Sequence, residues 1–209
     1  LSAFANQEAD ILIGTQMIVK GHDFPNVTLV GVLAADMSLH ISDYHAAERT
    51  FELLTQAAGR AGRGEVPGEV VIQTYQPEHY SIKTAKDQDY EAFYRQEIEY
   101  RKMMLYPPVF HLLVILCASK WEQRASDGAD ELLHEIDGIQ ELKKKIFPIG
   151  PADPAIARIN DIYRKVIYLK AEDYQNLVFV KDRLEKFVRD NTDYKDIVVQ
   201  FDFNPVNGF

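Results

Sequence analysis

The 209-residue sequence contains no Gly-x-x-x-x-Gly-Lys-Ser/Thr string. It therefore has no loop of the kind that cradles nucleotide phosphates on backbone amides. No Asp-Glu-x-His box follows a strand-like run, so it offers no evident magnesium ligand or catalytic base. Cysteine is nearly missing, with Cys117 the single one. One thiol makes neither an intramolecular disulfide nor a zinc knuckle, and the six histidines lack metal-ligand spacing. This usage fits a reducing compartment, so the expected location is the cytoplasm. Cys117 lies in an apolar run and reads as an inert buried thiol. There is no signal peptide, and no apolar run reaches the ~18 residues that a membrane span needs. Position 1 is Leu rather than Met, and a strand-like run begins at Ile11; we expect the start to be a boundary inside a longer protein. Positive charge is in deficit, with 23 Lys and Arg against 32 Asp and Glu and a net charge of −9. That excludes a chain built mainly to coat nucleic acid, because phosphate neutralisation needs clustered cations. Any DNA contact must be local.

What is there is ordinary for a globular protein, 46% hydrophobic and 26% charged, and long enough for one large domain or two small ones. Ile11–Thr15 and Val27–Asp36 read as strands. Asp43–Ala58 has helical spacing, with Phe51, Leu54 and Ala58 on one face and Asp43 as its cap. Pro67-Gly68 reads as a turn and Glu69–Thr74 as a third strand. This alternation predicts an α/β lobe with a parallel sheet over residues 1–86. Asp87–Leu105 reads as a bridging helix, ended by Tyr106-Pro107-Pro108, since neither proline can continue it. The linker thus spans 87–108, and an α+β domain follows over 109–209. In that domain Val109–Ser119 reads as a strand, Trp121–Gly138 as a helix and Phe147–Pro154 as turn-rich. Ala155–Ala157 and Lys165–Lys170 read as strands flanking the polar stretch Arg158–Arg164. Tyr174–Asp190 reads as a helix and Ile197–Phe203 as a last strand. The order predicts a split β-α-β sandwich with two helices on one face.

The strongest chemical signal is Gln56-Ala57-Ala58-Gly59-Arg60-Ala61-Gly62-Arg63 at a predicted helix end. Arg60 and Arg63 each follow a glycine, which permits close backbone approach and unusual φ angles. Guanidinium donors match phosphate oxygens. This is the form of an arginine finger directed at a nucleotide γ-phosphate. The same string also reads as a helix terminus with glycine caps and basic residues suited to the helix dipole. A second motif lies upstream, Gly14-Thr15-Gln16-Met17-Ile18-Val19-Lys20-Gly21-His22-Asp23-Phe24-Pro25. Its Thr15 hydroxyl and nearby amides suit a phosphate contact.

Together these motifs resemble motifs V and VI of superfamily 2 helicases. With Asp36, Ala47-Glu48-Arg49, Pro77-Glu78-His79 and Arg101-Lys102-Met103-Met104 before Pro107-Pro108, the chain resembles the PriA family (primosomal protein N′) of replication-restart DNA helicases. The resemblance implies a RecA-like second helicase lobe followed by a small, ribosomal-protein-like C-terminal domain. It implies an ATP-dependent 3′-to-5′ DNA helicase that acts in replication restart and primosome assembly at stalled forks. Arg63, Arg60 and Gln56 would then be catalytic, with Asp23, Gly59 and Gly62 on the nucleotide side. Thr15, Gly14, Gln16 and Lys20 would hold DNA. ATP with Mg would be bound mainly by a first lobe that is absent here, and zinc would belong to the parent protein but not to this stretch. The implied partners are forked or single-stranded DNA, the single-stranded DNA-binding protein and primosome proteins, with no membrane. Another superfamily 2 motor, or a docking module acting through the tail, are the alternatives.

In the tail, Lys143–Lys170 holds seven basic residues against Asp153 and Asp161, about +5 locally, with Tyr163 and Tyr168 interleaved. Cations alternating with aromatics suit single-strand contacts. Arg158, Arg164 and Lys165 are the candidates for DNA binding. Lys143–Lys145 also reads as the solvated end of a helix, and Tyr168 as a core strand residue. Without a phosphate-cradling loop, the 209-residue chain alone is expected to leave ATP unhydrolysed with DNA present; phosphate release above background in that assay contradicts this.

Overall fold

The computed structural model of the chain describes residues 1–15, 17, 24–41, 43–62 and 67–206. It divides into two compact units, one of residues 1–41 and 45–97, the other of residues 42–44 and 98–209. No helix among the described residues is long and apolar enough to cross a membrane.

The first unit is built on a parallel pair, β1 (Leu29–Val32) and β2 (Glu69–Ile72). A short helix, α1 (Ser2–Ala5), precedes it. The expected parallel sheet is present, but Ile11–Thr15 is not one of its strands. Ile11 is 77% and Ile13 88% exposed. An apolar run becomes a strand only where a neighbour takes up its amides and carbonyls, and the described residues offer this one none. β1 is also shorter than its apolar run, because Ala34 adopts a left-handed φ of 50°. Its amide donates to Gln73 Oε1 at 3.3 Å, and a 3-10 turn over Ala35–His40 follows. The Asp36 carboxylate then accepts from the Tyr75 amide at 3.1 Å. A hydrogen bond from Thr74 and this amide hold its carboxyl below the usual range, tying the chain after β1 to the chain after β2.

α2 (Ala46–Ala58) buries Ala46, Thr50, Phe51, Leu54 and Ala57, a stripe at three- and four-residue spacing. Its cap position falls at His45 rather than Asp43, and the His45 side chain makes no capping hydrogen bond. Phe51 stacks on Phe93 at 4.3 Å. The helix expected over Asp87–Leu105 is present as Tyr90–Met103, and a short helix that was not expected precedes it. α3 (Tyr80–Lys86) starts at His79, whose Nδ1 accepts from the Ser81 amide at 3.3 Å. α4 (Tyr90–Met103) follows it. The break falls at Gln88, with φ 52°, and Asp89 restarts the helix by accepting from the Ala92 amide at 2.9 Å.

In the second unit the sheet order is β4-β6-β3-β7, all neighbours antiparallel. Its strands are β3 (His111–Ser119), β4 (Ile146–Ala152), β5 (Arg158–Ile159), β6 (Ile162–Ala171) and β7 (Ile197–Phe203). Two helices, α5 (Glu122–Asp137) and α6 (Tyr174–Asp190), complete it. Both helices cover one face of the sheet, as expected, and bury Leu113, Ile115, Cys117, Ile167 and Leu169 against Leu132, Ile136, Leu177 and Leu184. The other face gathers Leu112, Val114, Leu116 and Val166 with Tyr44 and Tyr168. Tyr44 belongs to this unit; its ring stacks on Tyr106 at 5.2 Å and its hydroxyl donates to the Pro205 carbonyl at 3.1 Å.

Three segments differ from expectation: Ala155–Ala157 is a bend rather than a strand, and the other two follow. Phe147–Pro154 is largely strand β4 rather than turn, since its prolines sit on a sheet edge where a missing N–H costs no ladder bond. The register shift falls between Ile149 and Ala152, where Gly150 has φ +115° and a Cβ would lie 2.8 Å from the Val166 carbonyl oxygen. The polar stretch Arg158–Arg164 is a tight hairpin. Ile159 pairs with Ile162 across Asn160 and Asp161, with φ 49° and 61°. Asn and Asp tolerate that left-handed geometry, which a two-residue hairpin demands.

Gly62 and Gly68 lie backbone to backbone. A Cβ on Gly62, at φ +72°, would stand 2.5 Å from the Gly68 nitrogen. Gly62→Ala is therefore expected to lower the unfolding free energy of the first unit by about 1–3 kcal/mol in denaturant titrations. Burial pushes the Cys117 thiol up to about 12. Native chain at about pH 8 is expected to resist alkylation that proceeds readily in denaturant, because the thiolate is the nucleophile.

Candidate functional site

The arginine motif lies where α2 ends. The Gly59 amide bonds the Thr55 carbonyl and the Arg60 amide the Ala57 carbonyl, both at 3.0 Å, so the helix runs out through a tightening turn. The Gly62 amide then leaves the helix and donates to the Val27 carbonyl at 3.0 Å, just ahead of β1. At the next residue towards β1, the Thr28 carbonyl accepts from the Glu69 amide at 2.8 Å. The loop is thus held at both ends by the approach to β1, and the glycine pair permits that closeness. Gln56 and Gly59 are exposed on this turn and Arg60 is half-buried. The structure therefore brings Gln56, Gly59, Arg60 and Gly62 together on one turn at the edge of the sheet. The amides from Gly59 to Gly62 are all taken by carbonyls, so what such a turn can present to an anion is the guanidinium of Arg60, a donor that suits a nucleotide phosphate. Arg63 and Asp23 lie outside the described residues, as do Gln16 and Lys20. Gly14 and Thr15 are on an exposed, non-helical stretch, where the Thr15 hydroxyl accepts from the Met17 amide at 3.5 Å.

The basic stretch of the second unit separates into parts. Arg164 and Lys165 are consecutive in β6, so their side chains leave opposite faces of the sheet. Arg164 shares its face with Val166 and Tyr168, while Lys165 shares the helix-covered face with Ile167. Lys165 is paired with Asp153 at 2.6 Å. Arg164 donates to the Ile156 carbonyl at 3.1 Å. Arg158 pairs with Asp161 at 2.6 Å and lies 4.8 Å over the Tyr163 ring. Lys170 turns inward; its ammonium donates to the Met104 carbonyl at 2.8 Å and sits 3.7 Å over the Tyr106 ring. Burial lowers its pKa. Lys143–Lys145 are exposed, after a 3-10 turn rather than at the end of α5. Local charge is therefore less available than the composition of this stretch suggests.

Sequence reasoning passed over one feature beside Arg158. Lys120, Trp121, Gln123, Asn160 and Tyr163 help to line a hollow of about 550 Å³, where β3 gives way to α5 and meets the β5–β6 hairpin. Trp121 is 64% exposed there. The available signal was a lone tryptophan next to a lysine at the mouth of a helix.

Comparison with known proteins matches the two regions separately. Residues 1–65 match the helicase conserved C-terminal domain, and residues 102–206 the primosomal protein N C-terminal domain. The chain is 46% identical over 206 residues to the replication restart protein PriA of Bacillus subtilis, covering 98% of the chain and 25% of that protein. To the PriA of a Synechocystis strain it is 39% identical, with 95% and 24% covered. To the PriA of Treponema pallidum it is 35% identical, with 99% and 31% covered. The chain thus spans about a quarter to a third of the length of these relatives. With a helicase C-terminal domain in its first part and the primosomal domain over half its length, this chain belongs to the PriA family.

Proposed function

We propose that the chain is the second motor lobe and C-terminal domain of an ATP-dependent 3′-to-5′ DNA helicase that restarts replication at stalled forks. The observation that carries this reading is the Gln56–Gly62 turn, anchored beside β1 within the stretch that matches the helicase C-terminal domain. The relatives named replication restart proteins support the biological setting, which is cytoplasmic DNA replication. In this reading ATP with Mg is held mainly by residues elsewhere in the parent protein. When bound, ATP would draw the motor closed, and cleavage of its phosphoanhydride would let it reopen. Arg60 and Arg63 neutralise charge that develops on the γ-phosphoryl group, and Gln56 orients the attacking water. Gly59 and Gly62 let the turn come close, and Asp23 works on the nucleotide side. Thr15, Gly14, Gln16 and Lys20 grip the DNA backbone in alternation with closure.

The second unit contributes the contact with forked or single-stranded DNA and with the single-stranded DNA-binding protein and primosome proteins. Arg158 and Arg164 are its better-presented cations. Lys165 is less exposed and already paired with Asp153. In the full-length parent, Arg60→Ala and Arg63→Ala are each expected to lower DNA-stimulated ATP turnover by about 10³-fold, the scale of an arginine finger, with DNA affinity nearly unchanged. Equal loss of turnover and of DNA affinity in a fork-binding titration overturns the finger role.

A further inference from the structure

We propose that the hollow beside Trp121 is a slot for one unpaired nucleotide of single-stranded DNA. The proposal rests on the DNA-binding reading of the second unit and names the ligand group and the residues that take it. Ser119, the last residue of β3, is the register partner of Tyr163 in β6, so Lys120 and Trp121 emerge directly beside Tyr163 at the sheet end. The β5–β6 hairpin forms the opposite wall, and its Asn160-Asp161 turn holds Arg158 in place through the 2.6 Å pair with Asp161.

Three features select a nucleobase. First, Trp121 is the single tryptophan of the chain, is 64% exposed, and has no aromatic partner among the described residues. An indole face turned to solvent at the wall of a concave site is a stacking platform. Second, Arg158 lies 4.8 Å over Tyr163 and pairs with Asp161 through one guanidinium nitrogen, so its outer face offers a second platform for stacking. Third, Asn160 brings a neutral amide to the lining, able to donate and accept at a base edge, and Lys120 brings an ammonium for the attached phosphate. Lys120 and Arg158 are matched in number by Glu122 and Asp161, so the lining is formally neutral and does not favour a purely ionic ligand. Its selection is by planar shape and stacking. A volume of about 550 Å³ has room for one nucleotide and falls in the usual range of small-ligand sites, about 300–1,000 Å³.

Because Trp121 is the only tryptophan, indole fluorescence of the 209-residue chain reports on this site alone. The test titrates the chain with a fluorescein-free oligo(dT) for emission and a labelled oligo(dT) for anisotropy. It repeats both with an abasic oligonucleotide of equal length and with Trp121→Ala and Trp121→Phe. The expected result is saturable quenching by oligo(dT), little quenching by the abasic strand, an affinity loss of about 5- to 100-fold in Trp121→Ala, and recovery of most of it in Trp121→Phe. Trp121 is exposed, so both variants are expected to keep the wild-type circular dichroism spectrum. If anisotropy shows binding but emission is unchanged and Trp121→Ala binds like the wild type, the slot is refuted while DNA binding by the chain stands. Equal quenching by the abasic strand also refutes the slot. If no oligonucleotide binds even at low salt, the DNA-binding reading of this unit falls, and the slot with it.

Discussion

β3 is hydrogen-bonded along both edges, to β6 and to β7, and Leu112–Cys117 are buried on both of its faces. A fully buried Leu, Ile or Val side chain contributes about 1.5–3 kcal/mol, so this one strand carries a large part of the cohesion of the second unit. It also dictates geometry. Leu113, Ile115 and Cys117 must face α5 and α6, which places the start of α5 immediately after Ser119. Tyr163, paired across from Ser119, is brought to the same end. The aromatic and cationic side chains around Trp121 meet there because the register of β3 leaves them nowhere else to go.

How much of this was legible in the residues depends on whether a segment settles its own partners. Tyr174–Asp190 and Ile197–Phe203 were readable to the residue, because amphipathic spacing in one and alternation in the other are local patterns. Cys117 was readable as buried for the same reason. Ile11–Thr15 was not, since its apolar character is local but strand formation is a property of the pair. β4 was hidden in the opposite sense: Pro148, Gly150 and Pro151 look like punctuation, yet an edge strand with a bulge accommodates all three. The helix Tyr80–Lys86 went unread because seven residues are too few for apolar spacing to separate a helix from other local structure.

The site shows the same division. The string from Gln56 to Gly62 announced itself by residue type and spacing, and its anchorage at Val27 and beside Gly68 explains the glycine at 62, whereas Gly59 has an ordinary φ of −67° and room for a Cβ. The charge of the Lys143–Lys170 stretch was countable, but its distribution was not. Alternation in β6 sends Arg164 and Lys165 to opposite faces, and Asp153 and Asp161 each take one cation. Lys170 is consumed by Tyr106 and Met104. Net charge along a stretch of strand is thus a poor measure of the field that either face presents.

Tyr44 makes the second unit discontinuous in the chain. Its hydroxyl meets the Pro205 carbonyl across 161 residues of sequence. No single cut at the Pro107-Pro108 segment can release this unit whole, because Tyr44 and Tyr106 stay behind together and the excised piece leaves the Pro205 carbonyl without the hydroxyl that serves it. During synthesis the Tyr44 ring is made long before either partner, so the tail can finish folding only after the first part of the chain has waited for it.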